Sequence, residues 1–80
     1  MTGQRRLAVP RRAAVRAAGD GRPMTVEGER VESLRETWLV EDRWWTDRPL
    51  RRRYWEVVTT RGRDLVVFHE LEQEGWFRQR

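Results

Sequence analysis

The side chains best suited to bind a partner form a block of tryptophan and arginine in the second half of the sequence. The block reads WWTDRPLRRRYW over residues 44–55, and four of the five tryptophans lie within it or, as Trp38, shortly before it. Aromatic rings and guanidinium groups stack on nucleobases, and they also anchor protein interfaces. In a small domain the same side chains can instead fill the core and stack on one another.

Two regions supply the candidate contacts to a partner. In the block they are Trp44, Trp45, Arg51 and Arg53, and in the N-terminal region they are Arg5, Arg6, Arg11 and Arg12. Side chains alternate between the two faces of a strand, so one tryptophan of the pair should point outwards. Acidic side chains nearby, from Glu41 to Glu56, would repel phosphate. A structural role is therefore favoured first, a protein partner second and direct contact with nucleic acid third.

Catalysis is not indicated by the residue types. The chain has one histidine, one serine and no cysteine. His69 falls on a predicted strand with no second ligand at metal spacing, and Ser33 has no neighbouring base to activate it. The acidic side chains of residues 70–74 lack the loop pattern of calcium sites. We expect no catalytic residue, no metal site and no cofactor.

Length and composition set the class of protein. Eighty residues with 38% hydrophobic content suffice for one small domain, in which large aromatic side chains supply most of the buried area. Trp38, Trp55 and Trp76 fall on apolar positions of predicted strands and are expected in the core. No apolar run approaches the about 20 residues of a membrane helix, and no signal peptide is evident. We expect a soluble, cytoplasmic protein that contacts no membrane.

Positive charge is concentrated at the N-terminus. Residues 1–18 hold five arginines and no acidic residue, whereas in residues 19–80 the other 12 arginines are balanced by 13 acidic residues. All 17 basic side chains are arginine, and lysine, isoleucine and asparagine do not occur, which indicates a high-GC genome. Residues 1–11 are predicted to be a flexible basic arm, and residues 12–80 a small β domain.

Glycine turns and period-two alternation predict consecutive strands in the folded domain. The predicted strands are 13–18, a short strand around Met24 and Val26, 52–60, 65–71 and 76–79. The predicted turns and loops are 19–21, 28–29, 46–50, 61–62 and 72–75. Gly62 is expected to take the left-handed conformation of a bulged hairpin connection, which arginine would resist.

Residues 30–42 fit both a helix and a strand. Val31, Leu34 and Trp38 recur at helical spacing, whereas Leu34, Trp38 and Val40 fit a period of two. β-branched and aromatic residues favour the strand, and no clear helix cap is present. We predict a long, bent strand. The domain is thus predicted to be all-β, a strongly twisted antiparallel meander or partly closed barrel of five to six strands.

A set of residues spread over the folded domain matches the pattern of a known family. Its members are Trp38, Glu41, Trp44-Trp45, Arg52-Arg53-Tyr54, Gly62, the apolar run 65–68, Leu71-Glu72 and Gly75-Trp76-Phe77. In these residues the chain resembles a small, functionally uncharacterised bacterial domain that is rich in tryptophan and arginine. That domain occurs alone in high-GC bacteria and near the C-terminal end of ImuB-type proteins, the Y-family polymerase homologues of the mutasome. The resemblance covers roughly residues 12–80.

The resemblance implies a context in DNA damage tolerance. It also implies an accessory role, because the polymerase regions of those proteins have no counterpart here. We predict a non-catalytic protein-interaction module linked to DNA repair or damage-induced mutagenesis, with a repair or replication protein as its partner. The alternative is a single-stranded nucleic-acid-binding domain that uses arginine and aromatic stacking, with salt-sensitive affinity. An open edge strand could also pair two copies of the chain.

Overall fold

The computed structural model describes residues 9–43 and 45–80, which form one antiparallel sheet and no helix. The strands are β1 (Arg11–Arg12), β2 (Val15–Ala17), β3 (Pro23–Val26), β4 (Glu29–Asp42), β5 (Leu50–Thr59), β6 (Asp64–Glu70) and β7 (Trp76–Arg78). Their order in the sheet is β1-β7-β6-β5-β4-β3-β2. The predicted all-β class is therefore confirmed. The described residues contain no helix that is long and apolar enough to cross a membrane.

The sheet has seven strands rather than the predicted five to six. The additional strand, β1, begins at Arg11, inside the predicted basic arm, and pairs with β7. A strand of two residues is too short to produce a visible period in the sequence. Residues 1–8 of the predicted arm, which include Arg5 and Arg6, lie outside the described residues.

The sheet curls into a half-barrel because its two outermost strands, β1 and β2, follow one another in the chain and are joined by a very short connection. β1 pairs with β7 and β2 pairs with β3, and only Ala13 and Ala14 lie between β1 and β2. The turn between β3 and β4 is fixed against this segment, since Glu27 N donates to Ala14 O over 2.6 Å. The carboxylate of Glu27 accepts a hydrogen bond from Arg78 Nη1 of β7 over 2.9 Å. This turn comprises Glu27 and Gly28, both with positive φ, and so lies one residue before the predicted position.

Residues 29–42 form a strand, as the period of two and the β-branched residues predict. β4 pairs with β5 from Val31 to Asp42, and two bulges interrupt the register, between Val31 and Ser33 and between Leu34 and Glu36. A bulge inserts one residue and increases the local twist of the strand. The bulges therefore give β4 the bend that its length requires in a curled sheet.

The hydrophobic core lies on one face of the sheet, beneath the β2–β3 hairpin. Its fully buried members are Val26, Val57, Leu65 and Val67, and Trp55 and Trp76 pack against them. β6 is buried on both faces, because Val66 and Phe68 are also buried but point away from this cluster. Burial on both faces explains the continuous apolar run in the sequence of β6.

A row of aromatic rings crosses the face opposite the core. Trp38 stacks on Tyr54 with 5.2 Å between ring centroids, Tyr54 contacts Phe68 at 4.9 Å, and Phe68 stacks on Phe77 at 5.3 Å. The guanidinium of Arg12 lies over the Phe77 ring at 5.3 Å and closes the row at β1. Trp38 is therefore half-buried in this aromatic row and lies outside the core, whereas Trp55 and Trp76 take the predicted core positions.

The connection between β5 and β6 has the predicted bulged form. Gly62 has a φ of 78°, in the left-handed region that glycine adopts without a steric cost. The buried hydroxyl of Thr59 accepts hydrogen bonds from Arg61 N and Arg63 N over 3.2 and 3.3 Å. The same hydroxyl forms a hydrogen bond with the carboxylate of Glu29, at the start of β4. That carboxylate also accepts a hydrogen bond from Arg63 Nε over 3.2 Å. The turn is thus tied to a neighbouring strand by polar groups.

These contacts predict that acid weakens the domain through Glu29. The hydrogen bond with Thr59 and the positive charges of Arg63 and Arg61 lower the pKa of Glu29, against the opposing effect of burial. A carboxyl whose pKa is lower in the folded state stabilises the fold above its unfolded pKa of about 4.3. We expect this stabilisation to be present at neutral pH and to be lost as the pH falls through the folded-state pKa.

The measurement is urea denaturation of the wild type and of Glu29→Gln between pH 7 and pH 3. The wild type should be more stable than the variant at neutral pH, and the difference should shrink in acid. Glu74→Gln, at an exposed position without an ion pair, is the matched control and should show no such trend. A difference between wild type and Glu29→Gln that stays constant over this range would contradict the assignment.

Candidate interaction surface

The loop between β4 and β5 presents the predicted tryptophan to solvent. Trp45 is 65% exposed, the largest exposure of any described aromatic side chain, while Trp44 lies outside the described residues. The loop is held by local bonds: Thr46 N and Thr46 Oγ1 donate to Arg43 O over 3.1 and 2.9 Å. Arg48 N donates in turn to Thr46 Oγ1 over 3.1 Å. Trp45 is therefore exposed on a turn that local hydrogen bonds hold in place.

A polar cleft of about 580 Å³ opens beside this loop. It is lined by residues of the loop, of β5, of the end of β6 and of the β6–β7 turn, namely Arg43, Asp47, Arg48, Pro49, Leu50, Arg52, Glu70, Glu72 and Gln73. Three arginines and three carboxylates share its wall, so that its charges balance. The cleft beside the exposed tryptophan thus presents both signs of charge.

Arg51 and Arg53 lie on the core-facing side of β5, as alternation predicts, but their surroundings differ. Arg51 forms ion pairs with Glu41 across the ladder at 3.0 Å and with Glu72 at 3.6 Å. Arg53 is half-buried between its cross-strand neighbours Leu39 and His69. Because Arg51 has two carboxylate partners, its charge is largely neutralised in place.

His69 has a packing role in this arrangement. Its ring stacks on Trp76 with 4.6 Å between centroids and an interplanar angle of 5°. It lies on the same face as Leu65 and Val67, as the alternation of β6 predicts. This contact continues the core towards the cleft end of the sheet.

Arg52, which was not among the candidate residues predicted from the sequence, holds this end of the sheet together through its side chain. Its Nε donates to Glu70 Oε2 over 2.7 Å, its Nη1 donates to Tyr54 Oη over 3.4 Å, and its guanidinium lies 4.5 Å from the centroid of Phe68. Burial alone would lower the pKa of Arg52, but the hydrogen bonds to Tyr54 and Glu70 raise it above its ordinary value. The residue stays charged and joins the cleft to the aromatic row.

Arg11 and Arg12, the described candidate arginines of the N-terminal region, do not line this cleft. Arg11 and Arg12 lie on β1, three strands from β5 in the sheet order, or about 14 Å at about 4.8 Å per strand. Arg12 is occupied by its contact with Phe77, and its Nη1 approaches Gly75 closely enough that a Cβ there would lie 2.7 Å from it. Trp45 and Arg51 thus lie at the same end of the β4–β5 hairpin, whereas Arg12 contacts the β6–β7 turn from β1.

The aromatic row leaves little room for nucleobases. The planes of Trp38 and Tyr54 differ by 4°, and those of Phe68 and Phe77 by 17°, so their π-faces cover one another. Base stacking needs open ring faces on the binding surface. Within the row the rings thus pack on one another, and among the described rings and cations none covers the face of Trp38 turned away from Tyr54.

No group of three or more histidine, cysteine or acidic residues among those described could hold a metal ion. No family model, curated protein or solved structure compared with the chain matches it. Trp45, the charge-balanced cleft and Arg51 remain as the surface on which a functional proposal can be built.

Proposed function

We propose that the protein is a non-catalytic protein-interaction module of a DNA-repair or damage-induced mutagenesis system. Its contact surface comprises Trp45, the loop around it and the adjoining cleft. The partner is a repair or replication protein, and the module positions that protein without carrying out chemistry of its own.

The observation that carries the proposal is the exposure of Trp45. A tryptophan with 65% of its surface exposed costs free energy in water, whereas interface anchors favour tryptophan, tyrosine and arginine. Arg43 and Arg48, both exposed, flank it on the same loop. An anchor of this kind typically contributes about 2 kcal/mol or more to binding, which is about a 30-fold change in affinity.

The charge distribution supports a protein partner over nucleic acid. Arg51 and Arg52 are paired with glutamates, and Asp47, Glu70 and Glu72 line the cleft. A phosphate backbone would meet these carboxylates at the same surface as the arginines. The link to DNA repair is carried by the sequence resemblance alone.

Site-specific crosslinking tests the proposal. An aromatic photo-crosslinking amino acid, which keeps a large ring at the anchor position, replaces Trp45 in the full chain, which is expressed in bacterial cells treated with a DNA-damaging agent. The crosslinked partner should be a repair or replication protein, and Trp45→Ala should weaken its binding about 30-fold or more. The matched control places the same crosslinker at Met24, which is also exposed (47%) but lies on β3. Failure to recover such a protein, or recovery of the same proteins from both positions, would contradict the proposal.

An oligonucleotide provides the complementary test. A fluorescein-labelled single strand is titrated with the wild type and with Trp45→Ala at low and high salt. Because Arg51 and Arg52 are paired with glutamates and three carboxylates line the cleft, we expect no tight binding that depends on Trp45. Tight, salt-sensitive binding that is lost in the variant would instead support the nucleic-acid alternative and overturn the protein-interaction proposal.

A further inference from the structure

Most of one edge of β4 has no partner strand among the described residues. β3 pairs with β4 only at Glu29 and Arg30, whereas β5 pairs with the other edge from Val31 to Asp42. β3 then diverges and leaves a groove of about 350 Å³ beside Met24 and Leu34. Beyond Arg30, no described strand pairs with the outward N–H and C=O groups of β4, as is the case for an edge strand.

The two halves of this edge differ in how they are protected. Both bulges lie before Glu36, and bulges twist an edge away from incoming strands. From Glu36 to Asp42 the strand is regular and contains no proline and no basic residue. Three of its seven residues are acidic, namely Glu36, Glu41 and Asp42. This stretch, residues 36–42, is called the acidic edge below.

Two groups of the acidic edge have no partner among the described residues of the sheet: the carboxylate of Glu36 and the outer ring face of Trp38. Glu36 lies directly opposite Glu56 in the ladder, and among the described ion pairs only Glu56 has an arginine, Arg80 at 3.7 Å. The aromatic row ends at Trp38, where no described ring or cation covers the ring face turned away from Tyr54. At its other end the row is closed by a guanidinium, that of Arg12.

A second copy of the chain is a poor occupant of this edge when the two copies pair about Leu39. Antiparallel pairing of two acidic edges about Leu39 would place Glu36 opposite Asp42 and Thr37 opposite Glu41. The first of these contacts would occur twice in a two-fold dimer. Like charges directly opposite one another destabilise a ladder. A strand with positive side chains would form favourable pairs at the same positions.

We propose that the acidic edge accepts an extended, arginine-bearing strand of a partner protein, which adds to the sheet beside β4. Main-chain hydrogen bonds supply the affinity in this mode, and alternate side chains supply the specificity. On the face opposite the core, guanidinium groups pair with Glu36 and Asp42, and an arginine opposite Trp38 closes the aromatic row as Arg12 does at β1. The inference rests on the proposed function in that the partner is a protein, but it uses a different surface from Trp45.

A designed peptide tests the inference on the full chain. The probe is a short, acetylated, fluorescein-labelled peptide of alternating arginine and valine. One matched peptide has glutamate in place of arginine, and another has N-methyl groups on the backbone edge that would pair with β4. We expect the arginine peptide alone to bind and to slow amide hydrogen exchange within residues 36–42. Equal binding of the glutamate peptide or of the N-methylated peptide would overturn the inference.

Charge reversal on the edge supplies the second arm. Glu36→Arg with Asp42→Arg should weaken binding of the arginine peptide about five- to tenfold or more, and should allow the glutamate peptide to bind. Asp64→Arg, at an exposed position of β6, is the control and should leave both affinities unchanged. Relief of the contact with Glu56 should keep the double variant folded, as circular dichroism will show. A dimer in sedimentation that the double variant abolishes would identify a second copy as the occupant and overturn the partner assignment.

The two proposals can fail separately. Trp45→Ala should leave peptide affinity unchanged, because Trp45 lies beyond the acidic edge. Absence of peptide binding together with successful crosslinking at Trp45 would overturn the acidic edge alone. Peptide binding without any repair or replication protein crosslinked at Trp45 would overturn the proposed function alone.

Discussion

Replacing Phe68 with alanine is expected to lower the free energy of unfolding by about 3–5 kcal/mol. Phe68 is 1% exposed and is the largest fully buried side chain among the described residues. It contacts the rings of Tyr54 and Phe77 and carries the guanidinium of Arg52 on its face. Removing the ring leaves a cavity in the middle of the aromatic row and deprives Arg52 of its support.

The Phe68→Ala variant should retain little stability, because the free energy of unfolding of a domain of this size is typically only about 4–12 kcal/mol. Urea denaturation followed by tryptophan fluorescence measures it. Leu39→Ala, at a side chain that is 40% exposed, is the control and should cost far less. A loss below about 1 kcal/mol for Phe68→Ala would mean that the aromatic row contributes little to the fold.

Local patterns were sufficient to predict the second half of the sheet. The glycine at position 62 and the apolar run of β6 specify a hairpin, and the structure places β5 and β6 on either side of that turn. The same turn also specifies the register. Arg52 and Glu70 are equidistant from Arg61 in the sequence and are paired in the ladder. Their ion pair was therefore within reach of sequence reasoning once the turn was placed.

The position of Trp38 could not be predicted in the same way. Leu34 and Trp38 have the same parity along the chain, which assigns them to one face of a regular strand. The bulge between Leu34 and Glu36 inserts one residue, so Leu34 pairs with Val57 on the core face and Trp38 with Tyr54 on the other. A single inserted residue exchanges the faces of everything that follows it. Nothing in the local sequence marks such a bulge.

Contacts between distant parts of the chain were also beyond local patterns. β1 is defined by its pairing with β7, and Arg12 is placed over Phe77 by that pairing. The candidate binding residues were likewise divided by topology: Arg51 and Trp45 lie at one end of the β4–β5 hairpin, and Arg11 and Arg12 lie on β1. Composition identified the side chains, but the sheet order decided which of them share a surface.

The Arg52–Glu70 pair is expected to couple more strongly than any exposed ion pair of the sheet. Glu70→Ala should lower the free energy of unfolding by about 1–3 kcal/mol, because it leaves the half-buried charge of Arg52 without its carboxylate. The side chains of Arg52 and Glu70 are only 26% and 14% exposed. Those of Arg51 and Glu41, which join β5 to β4, are 45% and 50% exposed at a similar distance of 3.0 Å.

Two double-mutant cycles compare these pairs under identical conditions. The first combines Arg52→Met, which keeps the aliphatic stem over Phe68, with Glu70→Ala, and the second combines Arg51→Met with Glu41→Ala. Coupling should be about 1–2 kcal/mol in the first cycle and about 0.2–1 kcal/mol in the second. Added salt should reduce the second more than the first, since solvent ions screen exposed charges more effectively. Equal coupling and equal salt dependence would mean that Arg52 is solvated like Arg51, and that burial beside Phe68 adds nothing to its ion pair.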